Sequence, residues 1–251
     1  MQIETFGQDH LPPLVFLHGF LGKPEDWYYF AQALSSNFFC LIPNLLDRDA
    51  KTLSSLSQKL QNSLESLAKP YKIVGYSMGG RLALRYSLDF PDSIEGLIIA
   101  SASPGIENHQ ERKIRLAQDE QLAQILQSKG IKYFLDYWYG NTLFDSLREH
   151  EIFANLLERR AQIDPHLAAA ILSNLSPARE PSMWQQLPHL NCPTLLVAGS
   201  LDPKYIEVLQ RANNLLPRAK FKILPDVGHA LHIENPKLFL ETIEDFLLNK
   251  W

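Results

Sequence analysis

The sequence predicts an α/β protein whose mainly parallel β-sheet is covered by helices on both faces. Two patterns lead to this prediction. Short apolar runs alternate with longer segments of helical periodicity, which is typical of βαβ units. The apolar runs are also nearly continuous, as expected of strands that are buried on both faces. The chain has 251 residues, 45% of them apolar, which is enough for one large domain with a sizeable core.

The predicted elements follow one another along the chain. Each predicted strand is short and bounded by turn-forming residues, and the strands cover residues 14–19, 38–43, 71–75, 94–100, 194–199 and 221–225. Leucines at helical spacing predict a helix over residues 53–68, and a further helix follows the third strand from Arg81 onward. Residues 236–247 are predicted to form a closing helix on the sheet.

Residues 104–187 interrupt this alternation. They contain no convincing strand, and their runs 111–127, 131–138, 149–162 and 165–175 have helical character. We therefore expect a core made of residues 1–103 and 188–251. Residues 104–187 are expected to form a helical cap that is inserted in the core and lies over one end of the sheet.

Composition and charge exclude several classes of protein. The formal net charge of −4 argues against a nucleic-acid-binding protein with a broad basic surface. No apolar run reaches the roughly 18 residues that cross a bilayer, and the first residues do not resemble a signal peptide. Cys40 and Cys192 are too far apart for a metal motif. We expect a cytoplasmic protein without membrane contact, cofactor or metal, acting as a monomer or small homo-oligomer.

One segment has the pattern of a nucleophile elbow. Residues 75–80 read Gly-Tyr-Ser-Met-Gly-Gly, a G-x-S-x-G match that stands between a predicted strand and a predicted helix. The pattern alone is weak, because glycine and serine are common in turns. The strand–turn–helix context is what such an elbow requires, and it predicts that Ser77 projects at the carboxyl end of the sheet.

A serine needs a histidine to take its proton, and the histidine needs an acid to fix its tautomer. His229 and Asp202 each follow a predicted strand, so both are expected at the same end of the sheet as Ser77. The order Ser77, Asp202, His229 is also that of such triads on this kind of sheet. His232 and Asp226 are poorer candidates, since Asp226 lies within the histidine loop rather than after its own strand.

The loop after the first long strand supplies a candidate oxyanion hole. The backbone N–H groups of Phe20 and Met78 are expected to point at the same site beside Ser77. His18, in the same loop, is expected to bond nearby backbone rather than to take part in catalysis.

These residues resemble the α/β-hydrolase superfamily over the whole chain. The motifs are LHGFLG at 17–22, GYSMGG at 75–80, GSLDP at 199–203 and GHALHIENP at 228–236. The resemblance implies the α/β-hydrolase fold. One departure concerns residues 42–49, where many relatives carry D-x-P-G-H-G-x-S and this chain does not. The shape of this loop, and of one wall of the pocket, is therefore left open.

A narrower resemblance is to the 2-succinyl-6-hydroxy-2,4-cyclohexadiene-1-carboxylate synthases of menaquinone and phylloquinone biosynthesis. The motifs are GYSMGGR at 75–81, SPGI at 103–106, ERKIR at 111–115 and WYGNTLFDSL at 138–147. By position, the binding residues of that family fall on Arg81, Arg115, Trp138 and Arg160, of which Arg160 has the loosest flanking match. Tyr76, next to the serine, is a plausible pocket residue.

The resemblance implies a lyase, and because the sequence has no H-E-x-x-H, Walker or G-x-G-x-x-G motif we expect it to need no cofactor. Its polycarboxylate substrate is 2-succinyl-5-enolpyruvyl-6-hydroxy-3-cyclohexene-1-carboxylate, from which pyruvate is eliminated. Arginine suits such a substrate, because guanidinium binds carboxylates in a bidentate manner. The cap is not basic overall, with nine Lys and Arg against eleven Asp and Glu. Two alternatives concern single residues: Arg115 and Arg160 could form surface ion pairs, and Trp138 could belong to the cap core. Two others concern the function: the same triad could serve a hydrolase of esters, thioesters or carbon–carbon bonds, or the fold could be that of a ligand receptor.

Overall fold

The computed structural model describes residues 1–67 and 70–248. It contains a seven-stranded sheet with the spatial order β1-β3-β2-β4-β5-β6-β7. The strands are β1 (Ile3–Phe6), β2 (Pro13–Leu17), β3 (Phe39–Pro43), β4 (Tyr71–Tyr76), β5 (Ile94–Ala100), β6 (Thr194–Gly199) and β7 (Ala219–Leu224). Only the pair β1–β3 is antiparallel, and the other five pairs are parallel. The carboxyl ends of β2 to β7 therefore meet at one edge of the sheet.

Helices cover both faces of this sheet. Those outside the segment between β5 and β6 are α1 (Tyr28–Leu34), α2 (Leu53–Leu64), α3 (Met78–Asp89), α8 (Pro203–Asn213), α9 (Leu231–Glu234) and α10 (Pro236–Leu248). Those between β5 and β6 are α4 (His109–Tyr139), α5 (Asp145–Glu149), α6 (Phe153–Arg160) and α7 (Pro165–Asn174). We call α4 to α7 the helical insertion. No helix in the described ranges has both the length and the apolar content to cross a membrane.

The sheet separates two apolar cores, which explains why the strand sequences are continuously apolar. Along β2, Leu14 and Phe16 belong to one core, whereas Val15 and Leu17 belong to the other. Strands β3 to β6 alternate in the same way, since successive side chains of a strand point to opposite faces, whereas the edge strand β7 exposes Lys220, Lys222 and Ile223. The fold class predicted from the sequence, a mainly parallel sheet with helices on both faces, is confirmed.

All six predicted strands are present: those over 94–100 and 194–199 have the predicted ends, and the ends of the other four differ by at most two residues. Strand β1 is not among the predicted strands, because its four residues are too few to show a periodicity. The predicted helix over residues 53–68 ends earlier, since α2 stops at Leu64, and its last residue lies outside the described part of the chain. Helix α4 joins two predicted helices, with non-helical backbone at Gly130 (φ 79°). Helices α1, α5, α8 and α9 were not predicted.

Candidate active site

Ser77 occupies a sharp turn between β4 and α3. Its backbone has φ 51° and ψ −112°, a conformation that residues with a Cβ rarely adopt. The turn is fixed by hydrogen bonds on both sides: the Ser77 N–H donates to the Ala100 carbonyl oxygen at 2.9 Å, and the Ser77 carbonyl oxygen accepts from the Arg81 N–H at 3.0 Å. A Cβ on Gly79 would lie 2.1 Å from the Leu17 carbonyl oxygen. Glycine at this position is what lets the start of α3 approach the end of β2.

The structure brings together the three residues predicted to form a triad. His229 Nε2 lies 3.3 Å from Ser77 Oγ, and His229 Nδ1 lies 2.8 Å from Asp202 Oδ2. Both Asp202 and His229 are buried. A carboxylate at Nδ1 favours the tautomer that carries the proton there, which leaves Nε2 free to accept a proton from the serine. Asp202 is also the N-cap of α8, where its Oδ1 accepts from the Tyr205 N–H at 3.2 Å.

The histidine loop is held by a residue that the sequence did not single out. Glu234 accepts from the Gly228 N–H at 2.8 Å and from the Ala230 N–H at 3.2 Å, one carboxylate oxygen for each. These two bonds bracket His229 and fix its backbone. The sequence could have predicted this role, because a carboxylate five residues after the histidine, in the short helix that follows, can accept hydrogen bonds from the N–H groups of the histidine loop.

The other histidines near the site have structural surroundings. His18 Nδ1 donates to the Gly19 carbonyl oxygen at 2.9 Å, and its Nε2 accepts from the Leu45 N–H at 2.9 Å. Burial lowers the His18 pKa to about 4. His232 stacks on Trp27, with ring centroids 4.8 Å apart, and burial lowers its pKa to about 3. Both rings are therefore neutral at pH 7.

Asp226, the poorer candidate for the acid, donates its backbone N–H to Ser200 Oγ at 2.9 Å and lies on an exposed turn. The histidine is instead paired with Asp202. The structure thus agrees with the preference for Asp202 over Asp226.

Two backbone N–H groups, of Phe20 and Met78, lie in the segments predicted to form an oxyanion hole. Neither donates to a protein acceptor within residues 1–67 and 70–248. Met78 is the first residue of α3, where N–H groups have no partner within the helix and the helix dipole favours negative charge. The contact at Gly79 keeps this helix start against the loop that carries Phe20. The arrangement fits an oxyanion hole.

A cavity of about 820 Å³ lies between the carboxyl edge of the sheet and the helical insertion, and the triad opens into it. A smaller cavity of about 170 Å³ adjoins it beside Ser77. The small cavity is lined by the cations Arg81, Arg115 and Lys204 and by no Asp or Glu. Six residues line both cavities: Phe20, Ser77, Arg115, Trp138, Lys204 and Tyr205.

Arg81 is a half-buried cation without an anionic partner. Its guanidinium donates to the Leu175 carbonyl oxygen, and it makes no ion pair with any described residue. Burial, and then the nearby positive charge of Arg115, lowers the pKa of Arg81 to about 10. The side chain therefore stays charged at pH 7 and is available to a negative ligand in the small cavity.

The other two predicted arginines carry ion pairs. Arg115 Nε lies 2.9 Å from Asp119 Oδ1. Arg160 Nη2 lies 2.5 Å from Asp26 Oδ2, and both side chains of this pair are almost fully buried, at 4% and 3% exposure. Arg160 lines only the large cavity. The structure therefore places Arg81 and Arg115 at the small cavity and Arg160 apart from it.

Aromatic side chains form the boundary of the two cavities. The Trp138 ring meets the Phe20 ring edge to face, with centroids 5.1 Å apart, and stacks on Phe134 at 5.6 Å. Trp138 thus faces the sheet rather than only the interior of the insertion. Tyr76 is buried beside the histidine, 5.4 Å from its ring, and lines the large cavity.

Lys204 and Tyr205 were not predicted as site residues. They follow Asp202 in the segment Leu-Asp-Pro-Lys-Tyr, where proline occupies the first position of α8. The side chain of Lys204 makes no ion pair within the described ranges, and the Tyr205 ring packs 4.6 Å from that of His229. Both residues come within three positions of the triad acid, at the carboxyl edge of the sheet, and this place in the sequence could have predicted that they border the site.

Comparisons with known proteins agree with this geometry. Protein PHYLLO, chloroplastic, from Arabidopsis thaliana is 32% identical over 93% of this chain, but the chain spans only 15% of that protein's length. The putative 2-succinyl-6-hydroxy-2,4-cyclohexadiene-1-carboxylate synthase of Bacillus subtilis (strain 168) is 28% identical over 93% of this chain and 89% of its own. The structure of MenH from S. aureus is 28% identical and superposes with a TM-score of 0.94 over 98% of this chain and 97% of its own. Residues 14–242 match the alpha/beta hydrolase family, and the chain belongs to that family.

Proposed function

We propose that this protein is a lyase with the activity named for its relatives, 2-succinyl-6-hydroxy-2,4-cyclohexadiene-1-carboxylate synthase. It eliminates pyruvate from 2-succinyl-5-enolpyruvyl-6-hydroxy-3-cyclohexene-1-carboxylate, as part of menaquinone or phylloquinone biosynthesis. The relatives with this name and the MenH structure support the proposal. The proposal rests on no cofactor, since each step below uses groups of the chain itself.

The observation that carries the proposal is the charge of the small cavity. Three cations and no carboxylate line a space of about 170 Å³ directly beside Ser77. Cations gathered in this way repel one another until an anion binds, and arginines bind carboxylates with two parallel hydrogen bonds. A simple ester would leave Arg81 and Lys204 without an anionic partner. A substrate with several carboxylates matches them.

In the first step a proton is removed from the carbon next to the succinyl ketone. Ser77 Oγ takes this proton while its own proton passes to His229 Nε2, and Asp202 stabilises the imidazolium that forms. Negative charge then develops on the ketone oxygen. The backbone N–H groups of Phe20 and Met78 stabilise this charge as an oxyanion hole.

In the second step the electron pair moves through the ring and the carbon–oxygen bond to the enolpyruvyl group breaks. The leaving group takes a proton and is released as pyruvate, and a second ring double bond forms in conjugation. His229 donates the proton that it received from Ser77 to this leaving group and becomes neutral again, while Ser77 keeps the proton taken from the substrate as its hydroxyl. No bond forms between Ser77 and the substrate, so this route needs neither an acyl-serine nor a water molecule.

The remaining site residues bind the substrate in this proposal. Arg81 and Arg115, with Lys204 at the rim, bind carboxylates in the small cavity. Trp138 forms a wall that both cavities share, whereas Tyr76 and Arg160 belong to the large one. We also propose that residues 1–103 and 188–251 act as the core and residues 104–187 as the cap, and that the protein works in the cytoplasm as a monomer or small homo-oligomer.

The test is pyruvate release from the cyclohexene substrate, followed with a coupled assay and mass spectrometry of the ring product. A p-nitrophenyl ester is run in parallel, because a hydrolase would cleave it. We expect rapid pyruvate release with feeble ester cleavage, and a loss on the order of 10³-fold or more in Ser77→Ala. Unchanged substrate with fast ester cleavage, or near-normal pyruvate release by Ser77→Ala, would refute the proposal.

The role of the small cavity has its own test. Arg81→Met removes a cation from it, and Arg218→Met is a matched control on an exposed residue that precedes β7, at the opposite edge of the sheet. We expect Arg81→Met to lower kcat/KM by about 10²-fold or more, because an ion pair in a desolvated site is lost. The control should stay near wild type. A change below about twofold in Arg81→Met would remove Arg81 from the site.

A further inference from the structure

An ion pair within α4 has features that an ordinary surface pair lacks. Arg115 and Asp119 are one helical turn apart, and Arg115 Nε donates to both oxygens of Asp119, at 2.9 and 3.0 Å. Pairs at this spacing on a helix surface are usually exposed on both sides and contribute little. Here the carboxylate is 1% exposed and the guanidinium 35% exposed. Asp119 is thus a buried anion whose partner reaches into the cavities.

The carboxylate is fixed from a second direction. Ser176 Oγ donates to Asp119 Oδ2 at 2.6 Å, and the Ala178 N–H donates to Ser176 Oγ at 3.1 Å. Ser176 and Ala178 lie in the loop after α7, so the two ends of the helical insertion meet at this carboxylate. A buried charge is costly unless it is paired and hydrogen-bonded. These contacts satisfy Asp119 and leave it little freedom to turn.

The way Arg115 is held determines which of its donors remain free. A guanidinium carries five N–H groups, and the one on Nε is taken by Asp119. The four on its terminal nitrogens donate to no residue within 1–67 and 70–248. A carboxylate ligand can bind across these two terminal nitrogens with two parallel hydrogen bonds. Arg115 lines both cavities, so this free end lies where they join.

We propose that Asp119 is a positioning residue that holds Arg115 by its Nε, so that the terminal nitrogens of Arg115 face a substrate carboxylate at the junction of the two cavities. Ser176 supports it by fixing the carboxylate. This inference rests on the proposed function, because it concerns how the same site binds its polycarboxylate substrate. Asp119 itself does not bind the substrate carboxylate, since like charges repel.

A positioning role predicts an effect that passes entirely through Arg115. Without Asp119 the long arginine side chain samples several rotamers, and binding must select one of them at an entropic cost. The loss therefore affects substrate binding more than the chemical step. It should also vanish when Arg115 cannot bind a carboxylate in the first place. A purely structural role of Asp119 would instead be independent of residue 115.

The experiment is a double-mutant cycle on pyruvate release with Asp119→Asn, Arg115→Met and the double variant. Asparagine keeps the shape and an acceptor oxygen but removes the charge. We expect Asp119→Asn to raise KM about tenfold with kcat within about threefold, a coupling typical of residues in contact. In the Arg115→Met background the same substitution should change KM by less than about twofold. Asp136→Asn, an exposed aspartate on the same helix, should resemble wild type in both backgrounds.

Equal effects of Asp119→Asn in the two backgrounds, or a fall in kcat alone, would overturn the positioning role. If Asp119→Asn does not fold, Ser176→Ala takes its place in the cycle, with an expected rise in KM of about threefold that also vanishes in Arg115→Met. The wild type is the separate test of the proposed function. A wild type that releases no pyruvate overturns both, whereas normal wild-type turnover with an unchanged KM in Asp119→Asn overturns the positioning role alone.

Discussion

Replacing Asp26 by asparagine should weaken the attachment of the helical insertion to the sheet. Asp26 lies in a short 3-10 helix (Pro24–Trp27) between β2 and α1 and pairs with Arg160 of α6, 134 positions away, at 2.5 Å. Arg159 adds a longer contact to the other carboxylate oxygen, at 3.3 Å. The Asp26 and Arg160 side chains are only 3% and 4% exposed, so the substitution leaves a buried guanidinium without its counter-charge.

The expected loss follows from this burial. Removing one partner of a buried ion pair costs about 3–5 kcal/mol in the free energy of unfolding. Asparagine still offers Arg160 an acceptor oxygen, so we expect the lower end, about 3 kcal/mol. For a chain of this size that corresponds to a fall in Tm of about 6–12 °C.

The loss should also depend on pH. Burial opposes ionisation of Asp26, but the charge and hydrogen bond of Arg160 outweigh it and hold the pKa of Asp26 below its usual 3.8. A depressed pKa means that the carboxylate stabilises the fold above the unfolded-state value and loses this contribution as pH falls below it. The difference between wild type and Asp26→Asn should therefore be full at pH 7 and shrink below about pH 4.

The assay is equilibrium unfolding in urea, followed by tryptophan fluorescence with a refolding check. Asp164→Asn is the matched control, because Asp164 also joins the insertion to the rest of the chain, through Arg48, but in a pair that is 44% and 65% exposed. Asparagine also replaces aspartate well as the N-cap of α7, so the control should lie within about 0.5 kcal/mol of wild type. An Asp26→Asn protein within about 1 kcal/mol of wild type at pH 7 would refute the reasoning.

Three further predictions concern the sheet edge. Burial lowers the pKa of His18 from 6.5 to about 4 in the fold, so the free energy of unfolding falls as pH drops below 6.5 and the unfolded chain takes up the proton. Between pH 7 and pH 5, urea unfolding should show a fall in this free energy that is about 2 kcal/mol smaller for His18→Asn than for wild type. An equal fall in both proteins would count against this reasoning. Gly79→Ala should abolish pyruvate release and lower Tm, because its Cβ would meet backbone at 2.1 Å, whereas Gly96→Ala, whose nearest contact is 3.5 Å away, should be tolerated. Asp202→Asn should keep the fold by circular dichroism but lower kcat by about 10³–10⁴-fold, since the imidazole loses the partner that sets its tautomer; a loss below tenfold would contradict that role.

Much of the sheet and the meeting of the triad residues could be predicted because they depend on local pattern. Continuously apolar strands give a parallel sheet, and parallel strands bring the residues after them to one edge. Ser77, Asp202 and His229 each follow such a strand, so their proximity required no knowledge of side-chain packing. Strand β1 escaped prediction because it is short and pairs in the opposite sense at the edge of the sheet.

The pairing of side chains could not be predicted in the same way. Arg160 and Arg115 were both expected to bind substrate, which stays a prediction, and the structure adds that Asp26 holds Arg160 and Asp119 holds Arg115. The first pair joins residues on separate elements, and no pattern in the sequence encodes which acid a buried arginine meets. Lys204 was overlooked because a lysine on a helix is usually solvated, and only the cavity beside it shows that it borders the site.

The backbone of Ser77 bears on how this site is retained over evolution. At φ 51° a residue with a Cβ is strained by about 1–3 kcal/mol, which a glycine would relieve. Ser77→Gly would therefore stabilise the turn while removing the hydroxyl that hydrogen-bonds to His229. Selection for a stable fold alone would favour glycine here. The serine in this turn therefore costs the fold stability in return for the hydroxyl that the reaction uses, and a chain that no longer needed the reaction would gain stability by replacing it with glycine.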